Sequence, residues 1–343
     1  MMIEDARVLR DEFVPREVCH RDPEVNHLAS VLAPITDGRP ADTALLTGPT
    51  GTGKTCIARF TVGRLRRAHL DVEYQYVNCW QNYSRFRALY SILEDLGRTI
   101  DIHRRSTPRD ELLERLAKYD GPPCVVILDE ADQLEDKGVL YDLHALSGFS
   151  MLLIANDEAT LLADADERLA SRVRGCEHVR FDRYTVAELT AILEARAWRG
   201  SESGAIERAE LRTIADAAAG DARVAISILR SAARQVQREN AERITADRLE
   251  AAIPSAQQEV RRRALDTLTP HQRALYDIVA DREAIEPGAL YDAYRERVED
   301  PETNRTVRNY LRKMTQYDLI VAEGTSRDRL YRPTEREPAA PRY

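Results

Sequence analysis

A parallel α/β region, then an all-helical segment, then helices closed by a hairpin is the fold class this 343-residue sequence predicts. Three observations carry the prediction. Continuous apolar runs at Cys124–Leu128 and Met151–Ala155 alternate with helical patterns as far as about residue 180, as expected for strands covered on both faces. Between residues 181 and 255 only helical periodicity occurs. From residue 260, three helical patterns that each begin on proline precede two short apolar runs split by Gly324-Thr325-Ser326.

Taken in order, residues 1–180 place a strand at Ala44–Thr47, ending in a glycine-rich loop, and a helix at Cys56–His69. A second strand reads at Val72–Asn78. A helix follows at Phe86–Leu96, where Phe86, Leu89, Tyr90, Leu93 and Leu96 recur at three-to-four spacing. Residues 181–255 hold helices at Thr185–Trp198, Ala205–Ala219 and Ala222–Asn240, the first opened by a capping box of Thr185 with Glu188. Gln257–Arg263 reads as a connection. Residues 260–343 then carry helices at Pro270–Arg282, Pro287–Val298 and Pro301–Tyr317, a hairpin of Leu319–Glu323 with Arg329–Arg332, and a polar tail from Thr334.

Composition narrows the class. With 43% hydrophobic and 31% charged residues the chain reads as globular. No apolar run approaches the ~20 residues needed to cross a bilayer, and Met1–Arg10 has no apolar signal core. The expectation is a cytoplasmic protein with no membrane partner. Cys19, Cys56, Cys79, Cys124 and Cys176 show no metal-ligand spacing and read as reduced thiols. A net charge of −8 looks wrong for a nucleic-acid binder, but charge averaged over a chain hides its distribution.

Gly48-Pro49-Thr50-Gly51-Thr52-Gly53-Lys54-Thr55 matches G-x-x-x-x-G-K-[ST] at every fixed position. Glycines let backbone N–H groups of residues such as Gly48, Gly51, Thr52, Gly53 and Cys56 converge on phosphate, and the following helix N-terminus adds about half a positive charge. Lys54 neutralises β/γ oxygens, and Thr55 offers its hydroxyl to Mg²⁺. Val125–Leu128 then delivers Asp129 and Glu130 at a strand end, Asp129 for Mg²⁺ and Glu130 to activate water. Asn156, at the end of the next strand, is placed to polarise that water. ATP with Mg²⁺ is the expected ligand.

The ordered set Gly48–Thr55, Leu128-Asp129-Glu130-Ala131-Asp132, Ile154-Ala155-Asn156-Asp157 and Gly220-Asp221-Ala222-Arg223 resembles the AAA+ ATPases. It is closer still to the archaeal initiator family of origin-recognition and Cdc-type proteins. Val14-Pro15, His20-Arg21, Tyr76-Val77-Asn78-Cys79, Phe181 and Tyr184-Thr185 extend the resemblance over nearly the whole chain. It implies an AAA+ base over 1–180, a helical lid over 181–255 and a winged helix over 260–343. It also implies that Asn156 is the first sensor, that Arg223 reaches the γ-phosphate from the lid, and that Tyr184 and Arg196 contact nucleotide. The segment Glu167–Val173 resembles the arginine-finger region, with Arg172 favoured over Arg168.

Pro301–Tyr317 divides into two faces. Val307, Tyr310, Leu311 and Met314 are expected inward; Arg305, Arg308, Asn309 and Arg312 outward, with Lys313 at the edge. That is the pattern of a recognition helix, and Arg327 and Arg329 sit near the tip of the following wing. Residues 301–332 hold seven basic and four acidic side chains, a local excess of positive charge in an acidic chain. Initiator-type resemblance adds a second DNA contact through Arg85 and Arg87, with Trp80 or Tyr83 as a wedge; core aromatics with surface arginines is the alternative there. The expected function is an ATP-dependent initiator that binds duplex DNA at a replication origin, partners other initiator copies and the replicative helicase, and hydrolyses ATP slowly as a switch. The alternative is an AAA+ DNA-binding regulator or signalling ATPase acting elsewhere.

Overall fold

The central strands of this chain form where β-branched and leucine-rich runs are buried on both faces. The computed structural model describes residues 6–10, 13–69, 71–103, 107–163, 165–200, 205–324 and 328–334. Strands β1 (Ala44–Thr47), β2 (Glu73–Asn78), β3 (Cys124–Asp129), β4 (Phe149–Ala155) and β5 (Glu177–Arg180) make one sheet. Its order is β2-β3-β4-β1-β5, and every pairing is parallel. Strands β3 and β4 are buried along their whole length, the pattern of a sheet with helices on both sides. Only β5, with a single buried residue, Val179, had no sequence signal.

Around the sheet stand α1 (Asp22–Leu32), α2 (Lys54–Ala68), α3 (Arg85–Asp95), α4 (Arg109–Ala117), α5 (Gly138–Ala145), α6 (Glu158–Leu162) and α7 (Glu167–Arg174). One apolar cluster joins Ile57, Ala58, Phe60 and Val62 of α2 to Val125, Ile127, Leu152 and Ile154. A second, on the opposite face, joins Ala88, Leu89, Ile92 and Leu93 of α3 to Val126, Leu128 and Leu153. The alternation along β3 thus sends neighbouring residues to different cores. Helix α3 starts at Arg85, capped when the Ser84 hydroxyl accepts from Arg87 N.

Three helices follow, α8 (Val186–Gly200), α9 (Arg208–Ala217) and α10 (Ala222–Arg238). The capping box opens α8 as expected: Thr185 N donates to Glu188 Oε2 at 2.7 Å and Glu188 N to Thr185 Oγ1 at 3.2 Å. Helix α10 buries Ala225, Leu229, Ala232 and Val236 at helical spacing. The connection expected at Gln257–Arg263 is instead part of one helix, α11 (Ala246–Asp266), which runs through Pro254. Its Gln- and Arg-rich exposed face hid the helical period. The chain forms two compact units, one to Ala252 and one from Ile253, so the sheet and α8–α10 belong to one unit.

In the second unit, α12 (Pro270–Ala280), α13 (Pro287–Arg297) and α14 (Asn304–Gln316) pack with an antiparallel hairpin of β6 (Ile320–Glu323) and β7 (Leu330–Pro333). Ile285 forms an isolated antiparallel bridge with Tyr331. Leu275, Leu290, Tyr294, Val307, Leu311, Met314 and Ile320 form its core. No helix among the described residues is long and apolar enough to cross a membrane.

Candidate nucleotide site and basic helix

The strand order does what the sequence alone did not show: β4 lies between β1 and β3. All three are parallel, so their C-terminal ends emerge at one edge. Asn156 therefore falls between the loop after β1 and the acids after β3, and Gly48 N donates to Asn156 O at 3.1 Å. In α/β sheets this edge is where ligands sit.

The loop takes the backbone shape that its glycines permit. Gly51 and Gly53 have φ of 75° and 93°, and Gly53 is the N-cap of α2. Thr52 is fully buried, with Oγ1 donating to Pro49 O at 2.8 Å. The Lys54 ammonium is buried and donates to Gly48 O at 2.5 Å and Pro49 O at 2.8 Å. Burial pushes its pKa down to about 8, against a partial upward pull from Asp129; the Arg223 charge adds to the depression. Thr55 Oγ1 donates to Asp129 Oδ2 at 2.8 Å, so the two groups expected at Mg²⁺ are in contact. Tyr76, not singled out as a site residue from the sequence, donates its hydroxyl to the same Asp129 oxygen at 2.7 Å. Glu130 follows with φ of 56°, a left-handed conformation that turns the chain sharply after β3. A cation, a hydroxyl and a carboxylate thus stand beside a glycine-rich turn at a helix N-terminus, groups that fit Mg²⁺ and a triphosphate.

The helices after residue 181 close over this loop. Ala222 N, at the start of α10, donates to Gly51 O at 3.0 Å. Asp221 caps α10 through Arg223 N and Val224 N, and its Oδ2 accepts from Arg223 Nη2 at 3.2 Å. Arg223 is thereby held at the loop, near enough for its charge to act on Lys54. Tyr184 is buried beside Gly53, where an added Cβ would meet its hydroxyl at 2.6 Å. Arg21 ties these parts together: its Nη2 donates to Thr52 O at 3.2 Å and Asp182 O at 2.6 Å, and its guanidinium lies 4.1 Å from the Tyr184 ring centroid. Only its place after His20 marked it in the sequence.

Other expected residues sit differently. Cys56 is half-buried, with its thiol pKa raised by burial and opposed by the charges of Arg196 and Arg59. Arg196 donates to the carbonyls of Val8, Arg10 and Phe13 in the N-terminal segment, and its charge acts on the Cys56 thiol. Arg172 is exposed on α7, its guanidinium 5.2 Å from the Tyr141 ring centroid; the Tyr141 hydroxyl donates to Asp166, the N-cap of α7.

The basic helix α14 presents Arg305, Arg308 and Arg312 to solvent and leaves Asn309 half-exposed, while Val307, Leu311 and Met314 are buried. Lys313 corrects the expectation: it is 2% exposed, because it lies about 60° round the helix from Tyr310, which packs against the core, and is covered there. Arg329 is exposed at the start of the returning strand, and Arg327 lies outside the described residues. Arg85 also needs correction. Its Nε and Nη2 donate to Asp142 and its Nη1 to Asp136, an arrangement that neutralises it against α5 and the turn before it. Trp80 is 4% exposed and is no wedge, whereas Arg87 is exposed over the Tyr83 ring at 5.0 Å.

This parallel sheet, with a phosphate loop after β1, adjacent acids after β3 and a helical lid hydrogen-bonded to the loop, defines a nucleotide-binding AAA+ module. A family model described as an AAA domain matches residues 39–162, and one described as a Cdc6 AAA+ ATPase-type lid domain matches residues 190–254. The chain is 58% identical to ORC1-type DNA replication protein 9 of Halobacterium salinarum over 330 residues, 96% of this chain and 93% of that one. It belongs to the family of ORC1-type DNA replication proteins. ORC1-type DNA replication protein 1 of the same organism is 52% identical over 308 residues, 90% of this chain and 100% of that one. Among solved structures, the ORC1 protein of Aeropyrum pernix in complex with DNA is similar at 26% identity and a TM-score of 0.73, covering 96% of this chain and 92% of that one.

Proposed function

We propose that this chain is an ATP-dependent replication initiator that binds duplex DNA at an origin and helps recruit or load the replicative helicase. The observation that carries the reading is α14: three arginines exposed on one face of a helix whose other face is buried in its own core. Such a face offers bidentate donors to base edges and phosphates without any rearrangement of the fold. In this reading the second unit is a winged helix, with α14 in the major groove, Arg308, Asn309 and Arg312 toward bases or phosphates, and the β6–β7 hairpin beside them. Arg87, next to the Tyr83 ring, supplies a second contact from the base. The DNA complex of the similar Aeropyrum pernix ORC1 protein supports the choice of ligand.

The first unit supplies the switch. Thr55 and Asp129 would hold Mg²⁺, which would neutralise charge on the triphosphate. Lys54 leaves its two loop carbonyls for the phosphate oxygens. Glu130 takes a proton from the lytic water, and Asn156 orients that water from the end of β4. Arg223 exchanges part of its pairing with Asp221 for the γ-phosphate, so the position of α10 reports which nucleotide is held. Arg172 completes the site of a second copy. Turnover is slow, as suits a switch.

Footprinting on duplex fragments of the genome tests the reading. A protected, sequence-specific site, sharper with ATP than with ADP, is expected. Uniform binding to all fragments, unaffected by nucleotide, overturns the origin-specific role.

A further inference from the structure

We propose that Tyr76 is a positioning residue for the magnesium-binding carboxylate, its hydroxyl fixing which oxygen of Asp129 is left for the ion. The inference rests on the reading of Gly48–Thr55 as the Mg²⁺–ATP site. It adds a residue that lies outside both the phosphate loop and the acidic pair.

The geometry begins with register. Among the described residues, strand β2 is the edge of the sheet and pairs only with β3, with Tyr76 opposite Ile127 and Asn78 opposite Asp129. Period-two alternation puts Tyr74 and Tyr76 on the face that packs with α2, and Val77 on the other. From that face the Tyr76 hydroxyl reaches Asp129 Oδ2 at 2.7 Å. Thr55 Oγ1, in the first turn of α2, donates to the same atom at 2.8 Å. A carboxylate oxygen has about two lone-pair sites, so two donors occupy Oδ2 and leave Oδ1 as the open acceptor. Turning the carboxylate over would break both hydrogen bonds together.

Two further observations keep the phenol in that role. The carboxylate only accepts, so Tyr76 donates. A cation also steadies the ring: Arg59, one turn beyond Thr55 on α2, lies 5.2 Å from the Tyr76 ring centroid. Helix α2 therefore supplies the hydroxyl that shares Asp129 Oδ2 and the cation that steadies its partner. A partner that orients a metal-ligating carboxylate typically accounts for about 10–100-fold in metal affinity.

Tyr76→Phe removes one oxygen and keeps the ring over which Arg59 sits. A fluorescent ATP analogue is titrated into the full chain with EDTA and then across a range of Mg²⁺ concentrations. The Mg²⁺ midpoint is expected to rise about tenfold or more, while the Mg²⁺-free affinity and the melting temperature stay at their wild-type values. Comparing each variant with its own Mg²⁺-free affinity cancels any general loosening of the fold. On an Asp129→Asn background, Tyr76→Phe should shift the midpoint no further. An unchanged midpoint in Tyr76→Phe overturns the proposal, as does an equal shift with and without Asp129. A wild-type chain that fails to bind the analogue at all overturns the nucleotide-site reading itself, a result visible before any variant is compared.

Discussion

At the scale of single residues, Lys54 has the most direct consequence. Its ammonium is buried against two carbonyls, and desolvation lowers its pKa from the ordinary 10.5 to about 8. The sign follows from proton counts. Between these values the unfolded chain holds more protons than the folded one, so the burial cost present below pH 8 is relieved as pH rises through that window. Nucleotide affinity moves the other way. Phosphate oxygens keep the ammonium charged in the complex, so binding above pH 8 takes up a proton. ATP affinity measured by calorimetry should fall about tenfold per pH unit above about 8, and Lys54→Met should bind weakly with no such slope. The loop and acids were legible from residue types alone, because phosphate and Mg²⁺ demand a fixed local order of amides, cation, hydroxyl and carboxylate. Arg21 and Tyr76 were not, since each acts across 31 or 53 residues of sequence.

At the scale of elements, the close approach of α10 to the phosphate loop decides how the lid is held. Gly51 has φ of 75°, and an added Cβ would lie 1.9 Å from Asp221 Oδ1. Gly51→Ala should therefore strain the loop and push α10 away; we expect a loss of about 1–3 kcal/mol in thermal stability and weaker ATP binding, read by melts with and without nucleotide. Helix α14 makes a second element-scale prediction. Arg312→Ala removes an exposed cation opposite the buried Leu311 and Met314, so the fold should be unaffected. DNA affinity should drop by about 1–3 kcal/mol if Arg312 reads a base. If it contacts phosphate, the slope of log affinity against log salt should instead lessen by about 0.9. The two faces of α14 were readable from its period. The side on which Lys313 fell was not, because an edge position is assigned only by what packs against it.

For the whole molecule, the proposed reading, ATP in the first unit and DNA on the second, carries a linkage requirement. If ATP raises DNA affinity by some factor, DNA raises ATP affinity by the same factor. Titrating each ligand at saturating and zero levels of the other should give equal ratios, and unequal ratios would mean that the two ligands do not share one equilibrium. The sequence by itself determined the parallel α/β region, the all-helical segment after it and the helices with hairpin, since each depends on local periodicity and on turn and cap residues. It also determined the phosphate loop and its acids, which are local strings. Only the tertiary structure decided that β4 stands between β1 and β3, that α11 runs unbroken through Pro254, and that Arg85 is paired inward with Asp142. The physical reason is common to all three: strand neighbours, helix continuity through a proline, and the partner of a charge are set by contacts between residues far apart in the chain, and no local pattern records them.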